Sequence, residues 1–374
     1  MTYTAIKRTL TLAAATAVMV LGSASLAQAE TAAQQAVQLS PNNAEFRLLL
    51  AATQSVSGDL AARESHLRTA VALAPHYPQV RWQLANLLIR AGKLDEALEE
   101  FRQVAEAKPA LLVAAFDLLW EATNGDFNAL ARATGEQPRN RMALAKFLLQ
   151  QNRSTEAAQV FSRIEVSARA STPETGEFVR QLMDAGHPEL ARRLWGETRG
   201  ASEVESVVLS NGGFESEVLS KFAHFDWQLK RSDYASPKIE VGTAHAGRRA
   251  LRVDFAGRDT TKLTDEVRQL LVLQPATAYR LTCYVKAEKF KAPEGPHWVV
   301  LNQANNQPVG STNRVSADHN DWQLLTADFT TPVQQQTYWL TLQRTPQFSY
   351  DEPTKGSLWF DGFLLEPLAR TLPR

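Results

Sequence analysis

Residues 78–109 read PQVRWQLANLLIRAGKLDEALEEFRQVAEAKP, and the pattern they share with their neighbours decides how the first half of the chain folds. Leu84 of this stretch has Leu50 and Leu118 at 34 residues on either side. The same interval separates Gly92 from Gly58, Phe101 from Leu67, and Pro109 from Pro75, so one register accounts for all four sets. After the third unit the phase slips, because Leu118 and Leu144 are only 26 apart, a contraction of 8. The 34-residue interval then returns between Leu144 and Phe178, Ala157 and Ala191, and Phe161 and Trp195. A fixed period of this length marks a stack of supersecondary units that share one continuous core.

These residues resemble the tetratricopeptide repeat, whose unit is a pair of antiparallel helices. The resemblance places Leu84 and Ala85 where the first helix needs a large and a small residue, and Gly92 at the turn. It places Ala97 at the close helix contact, Phe101 at the aromatic knob and Pro109 at the stop. Small residues matter because two helices approach closely only where one of them lacks bulk. Arg63 stands where the first unit should carry Ala, Val104 replaces an expected Ala, and the contracted third unit should lose most of its second helix. The expected array covers residues 32–198 in about five units, some degenerate. Its register puts Trp82, Asn86 and Arg90 on one face of a first helix, four apart, with Phe116, Trp120 and Lys146 at matching places downstream. These six are candidates for a groove that holds a protein partner; Trp82 and Trp120 are equally readable as plugs between repeats.

Around residues 199–205 the helical pattern stops. From residue 206 to 369 short alternating runs follow, RALRVDFAG, AYRLTCYVKAE, HWVVLNQ, DWQLLTADFTTP, TYWLTLQR and SLWFDGFLLEP, separated by turn residues. Such runs without intervening helix predict an antiparallel β-sandwich or jelly roll. The fold class is therefore multidomain: an all-α superhelix followed by a sandwich. An ordered series of landmarks strengthens the second half: Asn211-Gly212-Gly213-Phe214-Glu215, His245-Ala246-Gly247, Gln274-Pro275, Asp321-Trp322, Phe329-Thr330-Thr331-Pro332 and Trp359-Phe360-Asp361. In this order they resemble the family 4/9/22-type carbohydrate-binding modules with a galactose-binding-like jelly roll. That resemblance implies a glycan ligand and, at Glu215 and Asp361, a candidate structural Ca2+; two plain surface carboxylates are the other reading. Trp322 and Phe329 are expected as core anchors.

Strand alternation nominates sugar contacts, since an aromatic platform with polar neighbours suits a pyranose. If Tyr279, Leu281, Cys283 and Val285 face the core, Arg280 and Tyr284 face out; if Leu340 and Leu342 face in, Trp339 and Gln343 face out. Trp298 and Asn302 lie in a run whose parity is ambiguous and are kept as candidates.

The remaining features bound the setting. Lys7 and Arg8 precede an apolar stretch ending in Ala27-Gln28-Ala29, the grammar of a signal peptide over residues 1–29 cleaved after Ala29, which predicts a periplasmic or secreted protein with no membrane span after cleavage. Lys and Arg total 40 against 40 Asp and Glu, which argues against nucleic acid as a partner. The chain has 1 Cys, Cys283, so no internal disulfide forms, and its place in a strand pattern predicts a small buried hydrophobe. No metalloprotease, nucleophile-elbow, phosphate-loop or dinucleotide motif is present, which predicts no enzyme and no cofactor beyond the candidate calcium. The pairing of modules resembles exopolysaccharide-associated periplasmic proteins, and implies an adaptor that binds a protein through its repeats and a poly- or oligosaccharide through its sandwich. A scaffold that binds only proteins, and a glycan-active enzyme, are the alternatives.

Overall fold

The computed structural model describes residues 23–57, 59–199, 208–218, 224–258, 260–315, 319–334, 337–346 and 353–368. Most of the expected signal peptide and of the 199–205 linker lies outside these residues. The chain divides into two compact units, Met1–Glu165 and Val166–Arg374.

The first unit is helical: α1 (Ser23–Leu39), α2 (Ala44–Ser57), α3 (Leu60–Leu73), α4 (Pro78–Arg90), α5 (Leu94–Ala107), α6 (Leu112–Ala122), α7 (Phe127–Thr134), α8 (Pro138–Gln150) and α9 (Ser154–Ser162). Helices pair as hairpins, α2 with α3, α4 with α5 and α8 with α9. Leu84, Ala85, Ala97 and Phe101 are all buried, as the repeat register predicts. Proline at the first position starts α4 and α8, where its missing N–H costs nothing. The hairpin turns share one device: Gly92 has φ 72° and Asn152 φ 59°. Each lets the next residue's N–H, Lys93 or Arg153, return to a carbonyl five residues back, Leu88 or Leu148, at 2.9 Å. The contraction of the third unit is visible as α7, 8 residues long where α5 has 14.

The second unit begins with three more helices, α10 (Val166–Ser171), α11 (Glu174–Asp184) and α12 (Pro188–Thr198), and continues into ten strands. The strands are β1 (Gln228–Leu229), β2 (Ala235–Val241), β3 (Arg249–Ala256), β4 (Val267–Val272), β5 (Ala278–Lys291), β6 (His297–Asn302), β7 (Pro308–Ser311), β8 (His319–Thr330), β9 (Thr337–Gln343) and β10 (Lys355–Pro367). They form two antiparallel five-stranded sheets, a first ordered β1-β4-β9-β6-β7 and a second ordered β2-β3-β10-β5-β8. Between them lies one core that includes Tyr279, Leu281, Cys283, Val285, Leu340 and Leu342, the positions that alternation turned inward. Its aromatic centre is Trp298, whose ring lies 4.8 Å from Phe363, 5.3 Å from Phe360 and 5.7 Å from Trp227. Burial pushes the Cys283 thiol far above its ordinary value, so it stays protonated and inert.

Phe329 joins this core, but Trp322 does not. The two are seven residues apart on β8, an odd separation that puts them on opposite faces of a regular strand. Trp322 instead sits half-buried with its ring edge-on to His245 at 5.8 Å.

The last helical pair is fastened to the sandwich. Arg199, just past α12, reaches the fully buried Asp226 at 2.5 Å, and Asp226 also accepts the N–H of Trp227 at 2.8 Å. The Trp195 and Phe225 rings meet edge-on at 5.7 Å with the Arg192 guanidinium over both, and α12 packs against β4. The change from helix to strand and the division into compact units therefore fall at different places. Among the described residues, no helix is long and apolar enough to cross a membrane.

Candidate functional site

In the first unit, α2, α3 and α4 line a groove of about 420 Å³, floored by Leu48, Leu49 and Leu67 and edged by Glu45, Arg63, Gln79 and Gln83. Leu49 is 52% exposed there. The Arg63 Nε is buried without a hydrogen-bond partner, and neither Arg63 nor Arg90 has a carboxylate within ion-pair range among the described residues. Burial, and secondarily the Arg90 charge, holds the Arg63 guanidinium below its ordinary value. Of the predicted groove residues, Arg90 is exposed and Trp82, Asn86, Trp120 and Lys146 are half-buried. Phe116 is fully buried beside Phe147 at 5.4 Å and cannot meet a partner: its position is a packing position in α6. Trp82 and Trp120 rest edge-on against Phe101 and Phe147 at 5.4 and 5.7 Å, and the Asn86 amide donates to the Trp82 carbonyl at 2.7 Å.

The sandwich separates residues that alternation had grouped. Alternation distinguishes inward from outward but says nothing about which of two sheets a strand joins. Arg280 and Tyr284 lie on β5, on the outer face of the second sheet, whereas Trp339 and Gln343 lie on β9 in the first, so they form no common platform. Trp298 is in the core, because it pairs in register with the inward Leu342, and is removed from the sugar candidates. Asn302 shares that parity and is 9% exposed, its Oδ1 accepting the Ala304 N–H at 2.8 Å in the turn after β6.

On the second sheet the polar and aromatic groups are already engaged. Arg280 donates twice to its cross-strand neighbour Asp328, at 2.7 and 2.6 Å. The Tyr284 ring is covered by His245, stacked at 3.5 Å and 12°.

The outer face of the first sheet is different. Trp339 is flanked in register by Leu270 on β4 and Leu301 on β6, and the next row is Arg268, Thr341 and Val299. Beyond it His297 stands opposite Gln343. The Arg268 guanidinium lies 4.2 Å from the Trp339 ring and is oriented by the Gln228 carbonyl oxygen, which accepts from Nε at 2.9 Å. Burial, then the Arg314 charge, lowers the His297 pKa, so this imidazole favours its neutral form. An indole and a guanidinium oriented by one amide lie on this face above the nearly buried Leu270, Val299 and Thr341, groups able to meet a polyhydroxylated ring from its face and its edge.

Glu215 and Asp361 do come together, around the loop before β3. Asp361, fully buried, accepts the N–H groups of His245 and Ala246 on Oδ2 at 2.7 and 3.0 Å and that of Gly362 on Oδ1 at 2.6 Å. Glu215 Oε1 accepts those of Arg248 and Arg249 at 2.7 and 2.8 Å, which holds its carboxyl below the usual carboxylate range. The stability from this contact is in place above the ordinary carboxylate pKa and is lost as pH falls through the lowered value. Gly247, at φ 74°, is required here, since a Cβ would fall 2.4 Å from Glu215 Oε1. Calcium takes six to eight oxygens. What these carboxylates meet is N–H hydrogen, and no group of three His, Cys, Asp or Glu side chains able to hold a metal occurs among the described residues. As arranged, the two carboxylates serve this loop as acceptors of backbone N–H groups.

Residues 57–116 match the tetratricopeptide repeat. The match covers α3, α4 and α5, the best-formed part of the array, and supports a role in protein interaction. No curated protein is similar enough in sequence to count as a relative. Among solved structures the chain is similar to a CBM4 module, at 16% identity over 43% of this chain and 99% of that one, with a TM-score of 0.32. It is also similar to the CBM22-1 xylan-binding domain from Paenibacillus barcinonensis, at 16% identity over 44% and 97%, with a TM-score of 0.28. A MamA double mutant is similar at 19% identity over 37% and 83%, with a TM-score of 0.27.

Sequence reasoning missed Leu49 and Arg63 as parts of the tetratricopeptide groove, although Arg63 was already conspicuous as a charge at an Ala position. It also missed Arg268 and His297. Arg268 lies on β4, in VRQLLV, which does not alternate because the outward Leu270 is itself only 3% exposed. Such a run lacks the period-two signal of a half-exposed strand.

Proposed function

We propose that this chain is an exported, non-catalytic adaptor in surface-polysaccharide assembly or export, its repeats seating a segment of a partner protein and its sandwich touching the glycan. The observation that carries the glycan half is the outer face of the first sheet, where the half-buried Trp339 ring lies beside the Arg268 guanidinium and Gln228 orients that guanidinium. The ordered landmarks from Asn211 to Asp361, with their resemblance to carbohydrate-binding modules, support the same reading. For the repeats, the apolar floor of the groove, edged by Arg63 and Glu45, favours a partner segment that brings an apolar side chain flanked by polar groups.

Affinity electrophoresis of the full chain in gels containing soluble polysaccharides tests the glycan half. Retardation is expected, and Trp339→Ala is expected to weaken it at least about tenfold without a change in fold, as for an aromatic anchor at the centre of a contact. A chain that no polymer retards would leave the protein-only scaffold as the better reading.

A further inference from the structure

At the end of β9 nearest its start, a cavity of about 480 Å³ is bounded on one side by the turn between α11 and α12, with Met183, Asp184 and Pro188. On the other side it is bounded by sandwich loops that contribute Gln303, Gln334 and Thr337. That volume is in the range of clefts that hold small ligands. Thr337 and Trp339 are two residues apart on β9, on one face of the sheet and about 7 Å from each other. Thr337 thus brings the edge of the cavity within about 7 Å of Trp339 along β9.

The helical wall is fixed in place. Besides the Arg199–Asp226 bond, the Gln274 amide donates to Glu189 at 3.3 Å near the start of α12. On the sandwich side the Gln303 N–H donates to the Thr337 carbonyl at 3.1 Å. The Asp184 side chain is 66% exposed and touches Arg180 at 3.3 Å through Oδ2 alone, an exposed pair of little strength that leaves Oδ1 available.

We infer that the turn between α11 and α12 is a wall of the saccharide groove, and that Asp184 and Gln334 hydrogen-bond the hydroxyls of a neutral oligosaccharide running from this cavity to Trp339. The inference rests on the glycan reading above. The ligand class follows from the lining, which among the described residues includes a carboxylate and two amides but no Lys, Arg or His. Hydroxyls satisfy such groups.

The test uses the full chain in affinity gels containing xylan, galactomannan or mixed-linkage glucan, with alginate and polygalacturonate as anionic counterparts. Retardation by at least one neutral polymer and by neither anionic one is expected, with Asp184→Ala and Gln334→Ala each weakening it about three- to tenfold. Both side chains are exposed, so the variants should melt with the parent chain, and calorimetry checks this. If Trp339→Ala abolishes retardation while Asp184→Ala and Gln334→Ala match the parent, the helical turn is no wall, though the sandwich still binds glycan. Retardation by the anionic polymers alone overturns the neutral class in the same way. Retardation by no polymer removes both this inference and the reading beneath it.

Discussion

Arg199→Ala is expected to destabilise the second compact unit by about 3 kcal/mol, because it leaves the Asp226 carboxylate without its cation in a site that water does not reach. The figure belongs at the lower end for a broken buried pair, since the Arg199 side chain is itself 18% exposed and Asp226 keeps the Trp227 N–H. For a unit of this size the loss corresponds to a fall in Tm of about 6–12 °C by calorimetry. The double variant Arg199→Ala/Asp226→Ala should recover part of the loss, because neither charge is then stranded. A single variant that melts with the parent would mean that the helical pair is not fastened to the sandwich by this bond.

The second large effect is expected at Asp361. Its carboxylate satisfies three backbone N–H groups, from His245, Ala246 and Gly362, in a buried position. Asp361→Ala removes all three charge-assisted bonds and leaves the donors with no acceptor in reach, a cost of about 3 kcal/mol or more. Asp361→Asn keeps one acceptor oxygen and should lose less. The same bonds predict that a chelator such as EDTA leaves the Tm unchanged, since the loop is held by N–H groups. A drop of several degrees on chelation, restored by calcium, would show that an ion shares the site and that the N–H bonds are not sufficient.

The repeat half was legible because its signal is redundant. Each of Leu84, Gly92, Phe101 and Pro109 has a partner 34 residues away, so one mistaken position does not move the register. Inward positions of the sandwich were equally legible from alternation, as Tyr279, Leu281, Cys283 and Val285 show. The site was not, for two reasons that concern β5, β9 and β4. Parity placed Tyr284 and Trp339 outside, but sheet membership depends on which strands pair, and pairing joins β4, Val267–Val272, to β9 across a long stretch of chain. The strand β4 itself was invisible as a half-exposed element because the outward Leu270 is as buried as its inward neighbours, so Arg268 went unnoticed beside the tryptophan it overlies. At β2, Pro237 is tolerated because the strand is an edge, another fact that only topology reveals.

The isolation of Cys283 gives the molecule a built-in clock. Its sulfur lies in the core on β5, with no other cysteine in the chain to exchange with, and it is wholly shielded while the sheets are closed. An alkylating reagent can therefore reach it only through excursions that part the sandwich, and at low reagent concentration the labelling rate reports how often those excursions occur. Following mass gain over hours would give the opening free energy of the sandwich in the intact chain, with no probe added.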